Sequence, residues 1–196
     1  VGIAKCIIPE SIYSPLTCAV PEAVCLPYKE LNDIDFSFEK CNALLFGCGL
    51  GNTIETQKML EKIIESCNIP LVIDADGINA LSSNIEILKN SKAPIILTPH
   101  PAEMARLCNI SVSAVEENRI ETARNFAKEY NCVLVLKGAD TIIALKNGEI
   151  IFNLNGNPGM ATGGSGDVLA GIIVSLLAQG YDDETAAKYA VFLHGE

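Results

Sequence analysis

Short apolar runs alternate along this chain with longer stretches in which apolar residues recur at helical spacing. Residues 1–8, 43–47, 71–74, 95–98 and 133–137 are largely apolar, as parallel strands buried on both faces are. Between them, 53–66 places Ile54, Leu60, Ile63 and Ile64 largely on one side of a helix. Residues 112–129 do the same with Val115, Ile120, Ala123, Phe126 and Ala127, at a more ragged period. Strands alternating with helices of this length predict right-handed βαβ units in a mostly parallel, doubly wound α/β sheet.

After Lys137 the rhythm changes. Residues 141–145 and 149–153 flank Lys146-Asn147-Gly148, and Asn-Gly between two apolar runs signals an antiparallel hairpin. A glycine-rich loop follows, then a helix over about 165–178 and a last helix from Asp183. No repeat or linker interrupts the chain, so residues 1–196 are expected to form one domain. Residues 1–8 read as a strand from the first position, and the closing AAKYAVFLHGE as an uncapped amphipathic helix. Both ends are therefore expected to be truncated.

Composition narrows the class. With 49% hydrophobic and 19% charged residues, the chain is too apolar to be disordered. No apolar run is long enough to cross a bilayer, and the opening VGIAKCII lacks the features of a secretory signal. The eight cysteines form no CxxC or Cys/His ligand spacing, which fits reduced thiols in a cytoplasmic protein. The net charge of −10 without a Lys/Arg cluster argues against nucleic acid as a partner. An acidic chain that binds nucleotides must use backbone amides and a few placed cations.

Each polar motif follows a strand, the edge where doubly wound sheets bind ligands. The strongest is Thr162-Gly163-Gly164-Ser165-Gly166-Asp167, which runs into VLAGIIVSLLA. Its glycines let a phosphate approach inward-pointing amides, and the helix that follows adds its positive dipole end. Asp167 there is either a general base in phosphoryl transfer or a helix N-cap. The loop is not a Walker A sequence.

Four further motifs have two readings each. GCGLG (47–51) is a packing turn or a substrate contact. DADGIN (74–79) offers two carboxylates and Asn79, either for Mg²⁺ or a substrate hydroxyl, or as turn caps. TPHPAE (98–103) pins His100 between prolines, which holds the imidazole out toward a ligand. Glu103 either favours the next helix's dipole or sits near a metal. KGADT (137–141) is a solvated turn, or supplies Lys137 and Thr141 to a nucleotide.

In order and in one register, GCGLG, DADGIN, TPHPAEMARL, KGADT and NPGMATGGSGDVLAGIIVSLLAQG resemble the NAD(P)H-hydrate dehydratase family of the ribokinase-like superfamily. The resemblance implies a three-layer αβα sandwich. It also implies repair of hydrated nicotinamide nucleotides: with Mg²⁺ and ADP or ATP, the hydroxyl of (S)-NADH or (S)-NADPH hydrate is phosphorylated and phosphate is then eliminated. Carried over by residue, Asp167 contacts or deprotonates that hydroxyl. Gly51, His100 and Asn79 contact the hydrate. Lys137, Gly138, Ala139, Asp140 and Thr141, with Gly163, Gly164, Ser165 and Gly166, bind the adenine nucleotide, and Glu103 is the metal-associated acid. A homo-oligomer and an epimerase domain or partner are further expectations. Two other functions remain open: a vitamin-precursor kinase of the same superfamily, and a nucleotide-binding module without catalysis.

Overall fold

The computed structural model describes residues 2–38 and 40–196. Its centre is a six-stranded sheet of β3 (Leu44–Phe46), β4 (Leu71–Ile73), β5 (Ile95–Leu97), β6 (Val133–Leu136), β7 (Thr141–Ala144) and β8 (Ile150–Asn153), adjacent in that order. The pairs from β3 to β6 are parallel, and the last two are antiparallel. Every residue of β4, β5 and β6 is buried, which explains their unbroken apolar runs. Gly148, at φ +89°, closes the β7–β8 hairpin predicted from Asn147-Gly148.

Alternation along the strands sorts the core onto two faces. Leu71, Ile73, Leu97, Leu134 and Leu136 join one cluster with the helices that connect the parallel strands. These are α2 (Ile54–Ser66), α3 (Ala75–Leu81), α4 (Pro101–Cys108), α5 (Val112–Glu117) and α6 (Arg119–Glu129). Val72, Ile96, Val133 and Val135 join the second cluster with α7 (Ser165–Ala178) and α8 (Asp183–Gly195). The result is the expected three-layer αβα sandwich. Right-handed crossovers put all the connecting helices on one face, so the other is covered only after the chain leaves the hairpin.

Three local expectations are corrected. The segment 1–8 is not a central strand: β1 (Ala4–Pro9) pairs in parallel with β2 (Ala23–Tyr28) in a separate two-stranded sheet, joined through α1 (Tyr13–Ala19). Of β1 only Ile8 is buried, and Val1 lies outside the described residues. The helix expected over 112–129 breaks at Asn118, whose φ and ψ of −132° and 38° are not helical. That phase shift is the source of the ragged period, and it leaves Ile120 exposed. Ile54, at the first position of α2, is also exposed. Among the described residues, no helix is long and apolar enough to cross a membrane.

Candidate active site

The glycine-rich loop forms the rim of a site at the carboxyl ends of β3 to β6. Asn157 accepts a hydrogen bond from Gly159 N at 2.9 Å and starts a short helical turn over Pro158–Met160. Gly164, at φ +89°, then begins α7 with no side-chain cap. Among the described residues, and apart from the chain neighbours of each glycine, no heavy atom lies within 4 Å of where a β-carbon would stand on Gly163 or Gly164, so the loop backbone is open to a ligand. An uncapped helix start of this kind leaves N–H groups and a positive dipole end available to an anion.

Beneath the loop is a charged cluster. Asp74, 1% exposed, accepts hydrogen bonds at Oδ1 from Thr98 Oγ1 and from Lys137 Nζ, both at 2.8 Å. Lys137 Nζ also lies 4.0 Å from Glu103 Oε2. A β-carbon on Gly166 would stand 3.2 Å from that ammonium and 3.9 Å from Asp74 Oδ2. Ligand atoms of Cys48, Asp74 and Asp167 all lie within 4.8 Å of one another, with the Asp167 residue itself exposed. Burial, hydrogen bonding to Asp167 and the negative charge of both aspartates push the Cys48 thiol up to about 12, partly offset by Lys137.

His100 and Glu103 share one turn. His100 Nδ1 accepts from the N–H groups of Ala102 and Glu103 at 3.1 and 3.3 Å, while Glu103 Oε2 accepts from His100 N at 2.8 Å. This reciprocal cap begins α4, with Pro101 in its first turn. Because Nδ1 accepts, the ring proton belongs on Nε2, which lies 3.4 Å from Glu103 Oε1 on a ring that is 47% exposed. The ring is half exposed, yet both of its nitrogens face the first turn of α4: Nδ1 caps the helix and Nε2 lies beside Glu103.

The two acids of DADGIN separate. Between them Ala75 adopts φ +48°, and the turn sends Asp74 into the charged cluster and Asp76 toward Gly51. Gly51 N donates to Asp76 Oδ2 at 2.7 Å, and Asn79 Nδ2 lies 3.5 Å from Asp76 Oδ1. Asn79 Oδ1 in turn accepts from Arg106 Nη1 at 2.7 Å. Gly51 and Asn79, singled out separately in the sequence, thus belong to one network.

The turn 137–141 is braced from α6. Arg119 Nη2 donates to the carbonyl of Asp140 at 3.1 Å and to those of Leu136 and Lys137 at 3.5 Å. A β-carbon on Gly138 would collide with its guanidinium at 2.5 Å. Thr141 Oγ1 donates back to Gly138 O at 3.2 Å, and Ala139 and Asp140 are exposed. Ser165 Oγ lies 3.2 Å from His194 Nε2.

Cys48, Arg106 and Arg119 were not singled out from sequence, and Asp74 was offered only as one of a pair of acids. Asp74 was visible as an acid closing an apolar strand, without a sign that it faces Lys137. Cys48 read as one more reduced thiol. Arg119 carried no local signal, since its partners lie 17 to 21 residues further along the chain.

The profile of the NAD(P)H-hydrate dehydratase family matches residues 1–196. The bifunctional NAD(P)H-hydrate repair enzyme of Moorella thermoacetica is 40% identical over 182 residues, which are 92% of this chain and 34% of that protein. The ADP-dependent (S)-NAD(P)H-hydrate dehydratase of Neisseria meningitidis is 44% identical over 157 residues, covering 79% of this chain and 53% of that protein. The chain thus spans about a third to a half of the length of these relatives. Among solved structures, the ADP/ATP-dependent NAD(P)H-hydrate dehydratase from Bacillus subtilis, co-crystallized with ATP/Mg²⁺, superposes with a TM-score of 0.83 at 30% identity. That match covers 97% of this chain and 68% of the other. The hydroxyethylthiazole kinase of Pyrococcus horikoshii, at 16% identity and a TM-score of 0.69, shares the fold.

Proposed function

Because the chain belongs to the NAD(P)H-hydrate dehydratase family, we propose that it dehydrates (S)-NADH or (S)-NADPH hydrate at the expense of ADP or ATP. The observation that carries this reading is the position of Asp167. Its carboxylate stands at the amide-lined start of α7, beside the Asp74–Lys137 cluster.

The chemistry follows from that position. Hydroxide is a poor leaving group, and phosphorylation of the hydrate's hydroxyl turns it into a good one. Asp167 takes the hydroxyl proton as the oxygen attacks the terminal phosphorus. The amides of 163–166 and the α7 dipole hold the charge on the transferred group. The nicotinamide ring nitrogen's lone pair then expels phosphate, and loss of a ring proton restores the dihydronicotinamide. His100, through the exposed face of its ring, together with Gly51 and Asn79, orients the hydrate, while the braced turn 137–141 receives the nucleotide.

Mg²⁺ accompanying the nucleotide supplies neutralisation of phosphate charge. Glu103 is suited to it only through water. Its Oε2 is committed to His100 N and lies 4.0 Å from Lys137 Nζ, and the residue is 5% exposed. The reading assigns residues 1–196 to one catalytic domain acting in the cytoplasm as a homo-oligomer, with the epimerase function supplied by another domain or partner.

The test is to incubate the full-length protein with the hydrate, Mg²⁺ and ADP or ATP, following both the absorbance of reduced nicotinamide and free phosphate. Recovery of absorbance with equimolar phosphate supports the reading. A stable phosphorylated product, or no recovery with either donor, contradicts it.

A further inference from the structure

The five residues 137–141 read as one nucleotide-binding turn, yet the structure divides them. The backbone from Lys137 to Asp140 is tied to Arg119 on α6, and Thr141 bonds back to Gly138. The Lys137 side chain departs from this group. It runs inward until it is 21% exposed, and its ammonium ends between two buried acids under the glycine loop.

Several observations fix that ammonium. Lys137 N donates to Pro99 O at 2.8 Å, anchoring the residue to the end of β5. Asp74 Oδ1, at 2.8 Å, takes one of its three N–H groups. Asp74 is itself held by Thr98 Oγ1, also at 2.8 Å. Glu103 Oε2, at 4.0 Å, is beyond hydrogen-bond reach. At Gly166 no side chain intervenes, and a β-carbon there would press on Nζ at 3.2 Å. The ammonium therefore has donors left over and an open path to the loop, at the position where an anion would be cradled.

We propose that Lys137 contacts the phosphoryl end of the nucleotide, including the group being transferred, and takes no part in holding the adenosine. Asp74 and Thr98 are its positioning residues. The carboxylate neutralises the ammonium before a ligand arrives and sets its direction, so that a compact cation is in place where charge develops. Gly166 is small because the ammonium must pass beneath it. This rests on the reading of the site as an adenine-nucleotide site.

The experiment compares AMP, ADP and ATP binding by calorimetry in the full-length protein. Lys137→Met leaves AMP affinity within about twofold and weakens ADP and ATP by roughly tenfold or more, the loss of one charge-assisted hydrogen bond. Because this change strands the buried Asp74 carboxylate, Asp74→Asn/Lys137→Met is measured beside it and gives the same pattern. Asp74→Asn alone, which keeps the ammonium but loosens it, lowers the ATP-to-AMP affinity ratio by a smaller factor. An equal fall for all three nucleotides, or no change in any, overturns the proposal while the nucleotide reading stands. Wild-type protein that binds neither ADP nor ATP overturns both.

Discussion

A β-carbon on Gly47 would lie 1.8 Å from the backbone carbonyl oxygen of Asp74. The two residues end adjacent parallel strands, and their backbones touch because Gly47 has no side chain and adopts φ +128°. Asp74 N donates to Phe46 O at 3.0 Å, and Asp74 O accepts from Gly77 N at 2.9 Å. The contact cannot relax without breaking the start of α3. This crossing brings Cys48 over Asp74 and assembles the floor of the site.

Gly47→Ala is accordingly expected to destabilise the protein by roughly 3 kcal/mol or more, through overlap with backbone and a disfavoured φ. Denaturant unfolding checks this. A loss below about 1 kcal/mol would show that the crossing is looser than described.

His100 caps α4, and the proposed function gives it a second duty toward the hydrate. His100→Ala removes the cap on α4 and costs about 1 kcal/mol. His100→Asn restores an acceptor for the Ala102 and Glu103 amides, and hence most of the stability, but not the half-exposed imidazole ring. The KM for the hydrate is expected to rise in both variants. Full recovery of KM by Asn would mean that His100 serves only the helix.

The Cys48 thiol, pushed up to about 12 by burial and by Asp167 and Asp74, stays protonated well above neutrality. Only the thiolate is nucleophilic, so at pH 8 iodoacetamide should label the exposed Cys18 long before Cys48. Labelling of Cys48 should rise with pH through the alkaline range and have no plateau near pH 9. Mass-mapped alkylation rates decide; comparable rates at pH 8 for the two cysteines would contradict the half-buried, acid-flanked setting.

Much of this was legible in the sequence where a local signal carried it. Gly164 ahead of Ser165 marked the start of α7, Asn147-Gly148 marked the hairpin, and the all-apolar runs at 71–73 and 95–97 marked central strands. What was not legible depended on distance along the chain. Asp74 and Lys137 are 63 residues apart, and nothing near either one says that they pair. The β1–β2 sheet was missed because exposure, which separates it from the central sheet, is a tertiary property. The helix break at Asn118 left only a ragged period, and Arg119, just after it, had no reason to stand out until α6 was seen against the turn 137–141. Asp76 and Asp74 looked like one acidic pair, and only the left-handed Ala75 between them sends each to a different network.

The most direct measurement is the recovery of reduced-nicotinamide absorbance from the hydrate, with Mg²⁺ and ADP or ATP, by wild-type and Asp167→Asn protein of matched nucleotide affinity. The asparagine keeps the shape of the side chain but cannot accept the hydroxyl proton, and general-base catalysis contributes about 10²- to 10⁴-fold. Wild type is expected to restore the absorbance, and Asp167→Asn to lose activity by that factor while still binding nucleotide. Equal rates in the two proteins would remove Asp167 from the chemistry, and no recovery by wild type with either donor would contradict the dehydratase reading itself.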